Sequence, residues 1–443
     1  MYLNRGGFNL RRTRRDRLTW VALYVIAIIG ALYLYNLIVV GEIQPPGVPT
    51  ATATRGPQSY SEEAEKQFSA GHLKESVTAY QKAIEQDPKN VSYWIKLARI
   101  QVYADQAEEA VETAESAILL DPNNSAAHAV RALALDWVGN YADASDAAVR
   151  AIQLDPNNAL AYAYYAEILV DQQRWSQARD ASKQALALDP NSMDAYRIYG
   201  YYLESTGNYE EAVQQYQAAL KINPNLGFLY MRIGVNFRIL QQYDLAIQYF
   251  QRASAIDPND IEPYRSISRT YFQIGEYGAS AQYLEEALKI DPVNSKLHGD
   301  LGKVYFKALN YESAIIELKC AVDGCSTKDD TIDDEEGASE FQIEPLALDA
   351  TTLETFYIYS SVLAALSTSD QPYCRRARPL GQQIAAWVQQ NDPENTIIFG
   401  ILQENENICV IADSNAAQTV PSGDAATPGT GTPASTPAGT PTP

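Results

Sequence analysis

Arg265 and Arg269 stand four residues apart, as do Lys303 and Lys307, and Lys303 follows Arg269 by 34. Four is a spacing at which two side chains share one face of a helix. A face of this kind can make charge-assisted hydrogen bonds to carboxylates. Phe272 and Phe306, also 34 apart, lie on the same two segments and would add apolar contact. The same interval brings in Arg238, Tyr201 and Arg197. Together these residues read as a candidate groove for an extended acidic peptide. The opposing reading pairs the cations with the chain's own acids, such as Glu262, Glu276 or the acidic run at 329–336. The sequence leaves both open.

Little else suggests reactivity. The three histidines are His72, His128 and His298, and the last two sit at a recurring aromatic position, which favours packed side chains over ligands. No nucleophile elbow, phosphate-cradling glycine loop or metal motif is present, so the chain reads as a non-enzyme without cofactor or metal. Asp329, Asp330, Asp333, Asp334, Glu335 and Glu336 invite a calcium-loop reading, but with Gly337 as the loop glycine Ile332 would occupy the first ligand position. A solvated acidic loop fits that spacing better. Cys320, Cys325, Cys374 and Cys409 form an even set without a CxxC, which favours disulfides over zinc. Three pairings are open, with Cys320–Cys325 and Cys374–Cys409 the simplest.

The elements that position these residues follow from a repeat. Pro88, Pro122, Pro156, Pro190, Pro224, Pro258 and Pro292 recur every 34 residues. Within one interval, Tyr196, Tyr199, Gly200 and Leu203 trace one helix face. Gly207 and Asn208 then break the helix. Ala212, Tyr216, Ala219 and Leu220 trace a second face, which Pro224 closes because proline cannot continue a helix. Each interval is thus predicted to be a helical hairpin.

Tyr230, Ile233, Gly234, Phe237, Ala246, Phe250, Ala253 and Pro258, like Trp94, Leu97, Ala98, Ala110, Ala117 and Pro122, give the pattern its family resemblance. It resembles the tetratricopeptide repeat, whose period is 34. The resemblance covers about eight repeats over residues 57–326. It implies an all-α fold, a right-handed superhelical solenoid of such hairpins, and a protein-binding groove lined by the first helix of each. An acidic insertion at 327–348 would follow, then a degenerate repeat with a capping helix at 349–411.

The N-terminus carries a separate signal. The first 17 residues hold six arginines and one aspartate, so the remainder is more negative than the −21 of the whole chain. Such a body makes nucleic acid a poor partner. The uncharged stretch at 18–40 is about long enough to cross a bilayer, and a single transmembrane signal anchor is expected there. The basic segment 1–17 would stay cytoplasmic and the repeats would lie outside the cytoplasm. A Pro- and Thr-rich linker at 41–56 and a disordered Thr/Pro/Gly-rich tail at 412–443 complete the chain. The expectation is a membrane-anchored, extracytoplasmic scaffold with a protein partner in its groove. The alternative is a non-catalytic subunit of an envelope enzyme or assembly system, such as glycosyl transfer, cytochrome c maturation, or secretion and pilus assembly.

Overall fold

The computed structural model describes residues 14–39, 55–326, 342–368 and 370–418. Helix α1 spans Arg14–Val39. Eight antiparallel helix pairs follow. They join α2 (Pro57–Ala70) to α3 (Leu73–Gln86), α4 (Val91–Tyr103) to α5 (Ala107–Leu120), α6 (Ser125–Trp137) to α7 (Tyr141–Leu154), and α8 (Ala159–Asp171) to α9 (Trp175–Leu188). The series continues with α10 (Met193–Ser205) and α11 (Tyr209–Ile222), and with α12 (Gly227–Ile239) and α13 (Tyr243–Ile256). It ends with α14 (Ile261–Gln273) and α15 (Tyr277–Ile290), and with α16 (Ser295–Lys307) and α17 (Tyr311–Val322).

Local chemistry sets the hairpin boundaries. Asn90, Asn124, Asn158, Ser192, Asp260 and Asn294 cap first helices by accepting a backbone N–H one turn on, each cap contributing about 1 kcal/mol. The recurring aromatic of the first helix reaches back to the carbonyl of the repeat proline. Trp94 Nε1 donates to Pro88 O at 2.9 Å and Tyr230 OH to Pro224 O at 2.9 Å. His128 and His298 place Nε2 at 2.9 and 3.1 Å from Pro122 O and Pro292 O. Histidine therefore serves here as one more ring with an N–H. Between paired helices the backbone takes a left-handed turn, at Gly71, Gly139, Gly207 and Gly275 and also at Asp105, Gln173, Gln241 and Leu309. Gly234 lets the two helices of its hairpin touch: a Cβ there would lie 2.4 Å from the Phe250 ring.

The array does not run as an open spiral from its start. Tyr103 of α4 stacks on Phe228 of α12 with ring centroids 5.2 Å apart, and its hydroxyl donates to Asp194 of α10. The second hairpin therefore meets the fifth and sixth.

After α17, a two-residue strand β1 (Cys325–Ser326) pairs antiparallel with β2 (Gln342–Ile343). Helices α18 (Leu353–Ala365), α19 (Cys374–Asn391) and α20 (Thr396–Gln418) then close the array over a core of Phe356, Leu363, Leu380 and Ile384. Disulfides join Cys320 to Cys325 and Cys374 to Cys409.

Among the described residues no helix is long and apolar enough to cross a membrane. The described side chains of α1, from Thr19 to Tyr35, are exposed throughout. Both ends of the span expected at 18–40 fall beyond those side chains. The acidic run at 329–336 and most of the N-terminal segment, linker and tail also lie outside the described residues.

Candidate functional site

The nine residues expected to line one groove divide into two environments. Arg197 belongs to the closed part of the array and is 6% exposed. Its Nη1 and Nη2 donate to the two carboxylate oxygens of Glu167 at 2.7 and 2.6 Å. Burial opposes the guanidinium charge, but Glu167 and Asp194 hold its pKa above the ordinary arginine value. Tyr201 donates to Asp171 at 2.5 Å and lies under the Arg232 guanidinium. Arg197 is buried and paired, so its placement in an open groove is corrected, while Tyr201 is half-buried with its hydroxyl bonded. An inward-facing helix position becomes interior once the array closes upon itself.

Asp136, on the same inner face, is 3% exposed, and neither of its oxygens has a donor among the described residues. Burial, reinforced by Glu167 and Asp171, pushes its pKa up to about 10. At neutral pH Asp136 is therefore a neutral acid, and its proton supplies the donor toward Asp171.

Farther along, the inner face is open. Arg265, Arg269, Phe272, Lys303 and Lys307 line a single cavity of about 200 Å³ between α14, α16 and α18. Arg265 donates to Glu262 at 2.7 Å and to Asp300 at 3.0 Å. Lys303 lies 2.7 Å from Asp300 and 3.9 Å from Glu354. Burial disfavours ionised Asp300, yet Lys303 and Arg265 hold its carboxyl below the usual carboxylate range. Arg265, Lys303, Glu262, Asp300 and Glu354 thus form one network of ion pairs. Arg269 and Lys307 have no anionic partner among the described residues, although the Lys307 ammonium lies 6.0 Å from the Phe306 ring centre.

Arg238 stands beside this cavity. Its guanidinium lies over the Phe250 ring, and Nη1 is buried without a partner. Burial and the nearby charge of Arg269 lower its pKa from the ordinary arginine value. Phe272 turns its edge to Tyr277 while lining the cavity. Phe306 instead packs on Tyr311 and does not line it. Chemically, the cavity offers unpaired cations above an apolar floor of Phe272, Leu284, Val304 and Ile358. A carboxylate flanked by an apolar side chain fits that arrangement.

Sequence reasoning missed Ser268, Ser280, Asp300, Glu354 and Ile358. A signal for two of them was available. Ser268 stands where other repeats carry Ala98, Ala132, Ala166, Gly200, Gly234 and Gly302, and Ser280 where they carry Ala110, Ala144, Ala178, Ala212, Ala246 and Ala314. These helix-contact positions became polar in the same repeat, and the two hydroxyls hydrogen-bond at 2.8 Å. Glu354 and Ile358 come from α18, beyond the regular period.

Tetratricopeptide-repeat profiles match residues 67–134, 166–226, 229–260 and 262–294. The fold is thus an all-helical solenoid of tetratricopeptide repeats. Solved structures with similar folds include a chain of the APC/C hetero-tetramer Cut9-Hcn1, at 17% identity and a TM-score of 0.49. That match covers 58% of this chain and 51% of the other, so it spans about half the length of that relative. PilF of Pseudomonas aeruginosa matches at 20% identity and a TM-score of 0.39, covering 44% of this chain and 90% of its own. PilW, described as a widely conserved type IV pilus biogenesis factor, matches at 22% identity and 0.40 with the same coverage. No curated protein matches the chain by sequence.

Proposed function

We propose that this protein is a membrane-anchored scaffold, held outside the cytoplasm, whose later repeats receive an extended acidic segment of a partner protein. One observation carries the reading. Four cations converge on one cavity lined by two acids among the described residues, in a chain whose net charge is −21. Arg269 and Lys307 await a counter-ion, and the apolar floor would fix the residue beside it. The support for anchoring is the uncharged stretch at 18–40 behind a cluster of arginines. The role is one of binding and positioning.

A photo-crosslinking residue at Phe272, introduced into the full chain in intact cells, tests the reading. The expected product joins Phe272 to a carboxylate-rich segment of another protein and disappears in Arg269→Glu/Lys307→Glu. Cross-links only to residues 329–336 of the same chain would mean that the cavity serves an internal ion pair, contradicting the proposal. Protease added outside the cytoplasmic membrane should digest the repeats. Protection of the repeats until the membrane is breached would overturn the topology.

A further inference from the structure

The turn between α11 and α12 departs from the repeat in two places. Asn223 replaces the aspartate found at Asp87, Asp121, Asp155, Asp189, Asp257 and Asp291, and Leu226 replaces the polar capping residue. The first of these departures faces the first hairpin. Asn223 keeps the local task of the aspartates: its Oδ1 accepts from Asn225 N at 3.2 Å, as Asp155 and Asp189 accept from Asn157 and Asn191. The amide adds what a carboxylate lacks, a donor, and Asn223 Nδ2 meets Phe68 O at 3.3 Å. Asn225 Nδ2 meets Ser69 O at 2.8 Å. These carbonyls belong to the last turn of α2, where backbone acceptors need partners.

A third, independent feature lies on the opposite side of the contact. The left-handed position between paired helices tolerates side chains at Asp105, Gln173, Gln241 and Leu309. At Gly71 it could not, because a Cβ would fall 2.0 Å from Asn225 O. At Gly139 and Gly207, with similar φ, a Cβ would meet nothing within 4 Å. Leu226 is fully buried. Farther in, Arg99 of the second hairpin pairs with Asp194 of the fifth at 2.8 Å.

We propose that the α11–α12 turn is a docking site for the α2–α3 turn of the same chain, closing the first five hairpins into a ring. The ring withholds Tyr164, Glu167, Asp194 and Arg197 from any partner and sets the start of the accessible groove at the sixth hairpin. The first hairpin acts as an internal occupant of a surface that an open solenoid would present. This contact is separate from the cation-lined cavity, and its test needs no partner.

Hydrogen exchange of the full chain in detergent micelles reads it directly. Asn223→Asp preserves the turn's own Oδ1 acceptor but removes the donor and sets a charge against Phe68 O. Exchange at 68–73 and 225–229 should accelerate about tenfold or more, while α14–α17 keep their protection. Gly71→Ala should do the same, whereas Gly139→Ala and Gly207→Ala, which carry the same left-handed cost, should not. Unchanged exchange in Asn223→Asp, or equal acceleration in Gly71→Ala and Gly139→Ala, would overturn the proposal. Should Gly71→Ala fail to fold, Asn223→Asp still decides, since it leaves the turn intact. Protection that depends on protein concentration, with a dimer by sedimentation, would make the occupant a second copy and likewise overturn the intramolecular assignment.

Discussion

Arg197 and Glu167 share two parallel hydrogen bonds in the interior of the array, between helices α10 and α8. A stripe of inward-facing residues thus binds itself in the first five hairpins and stays available only beyond them.

Removing one member of this pair leaves the other charged and buried. Glu167→Gln should destabilise the chain by roughly 3 kcal/mol, more than replacing both residues with methionine and leucine. Urea denaturation followed by circular dichroism measures both. An equal loss in the single and double variants would mean that the pair itself, rather than the stranded charge, supplies the stability.

Asp136 should weaken the fold as pH rises. Its carboxyl is held neutral in the folded chain, with a pKa near 10, but ionises near its ordinary value of 3.8 when unfolded. The folded state therefore binds the extra proton across that window, and stability falls with increasing pH within it. Asp136→Asn keeps a donor toward Asp171 without needing a proton. It should raise stability at pH 7 by roughly 1–3 kcal/mol and flatten the decline. Parallel pH–stability curves for both proteins would contradict this.

His298 predicts a second slope. Burial opposes its charge, but Glu317 Oε2 at 2.6 Å from Nδ1 and the Pro292 carbonyl at Nε2 raise its pKa above 6.5. The resulting stability is fully present below 6.5 and is lost as pH climbs through the raised folded value. His298→Phe should remove that part of the pH dependence, read from denaturation midpoints between pH 5 and 9.

The Cys374–Cys409 bond closes a separation of 35 residues, for which the chain-entropy argument gives about 3–4 kcal/mol. Because each hairpin leans mainly on its neighbours, Cys374→Ser/Cys409→Ser should speed exchange in α18–α20 and leave α4–α11 unchanged.

Much of this was legible in the chain. The prolines mark the ends of the first seven hairpins because they end helices physically, and His128 and His298 already stood at a ring position. The cysteine spacing admitted the observed pairing. Arg197 was misplaced because position within a repeat gives the direction of a side chain, whereas exposure depends on how tightly successive hairpins curve. That curvature is locked by Asn223, Asn225 and Gly71, whose partners lie far away in sequence. The cavity's cations were readable from their spacing. Glu354 and Ile358 were not, since α18 follows an insertion that breaks the period.

The central claim, that the open groove takes an acidic segment, is tested most directly by titrating a fluorescein-labelled glutamate-rich peptide containing leucine against the full chain. Wild type should bind it, with affinity falling as salt rises. Arg269→Glu/Lys307→Glu should lose tenfold or more, while Arg197→Met/Glu167→Leu, in the closed ring, should bind as wild type does. Equal binding by wild type and the charge-reversed protein would contradict the account.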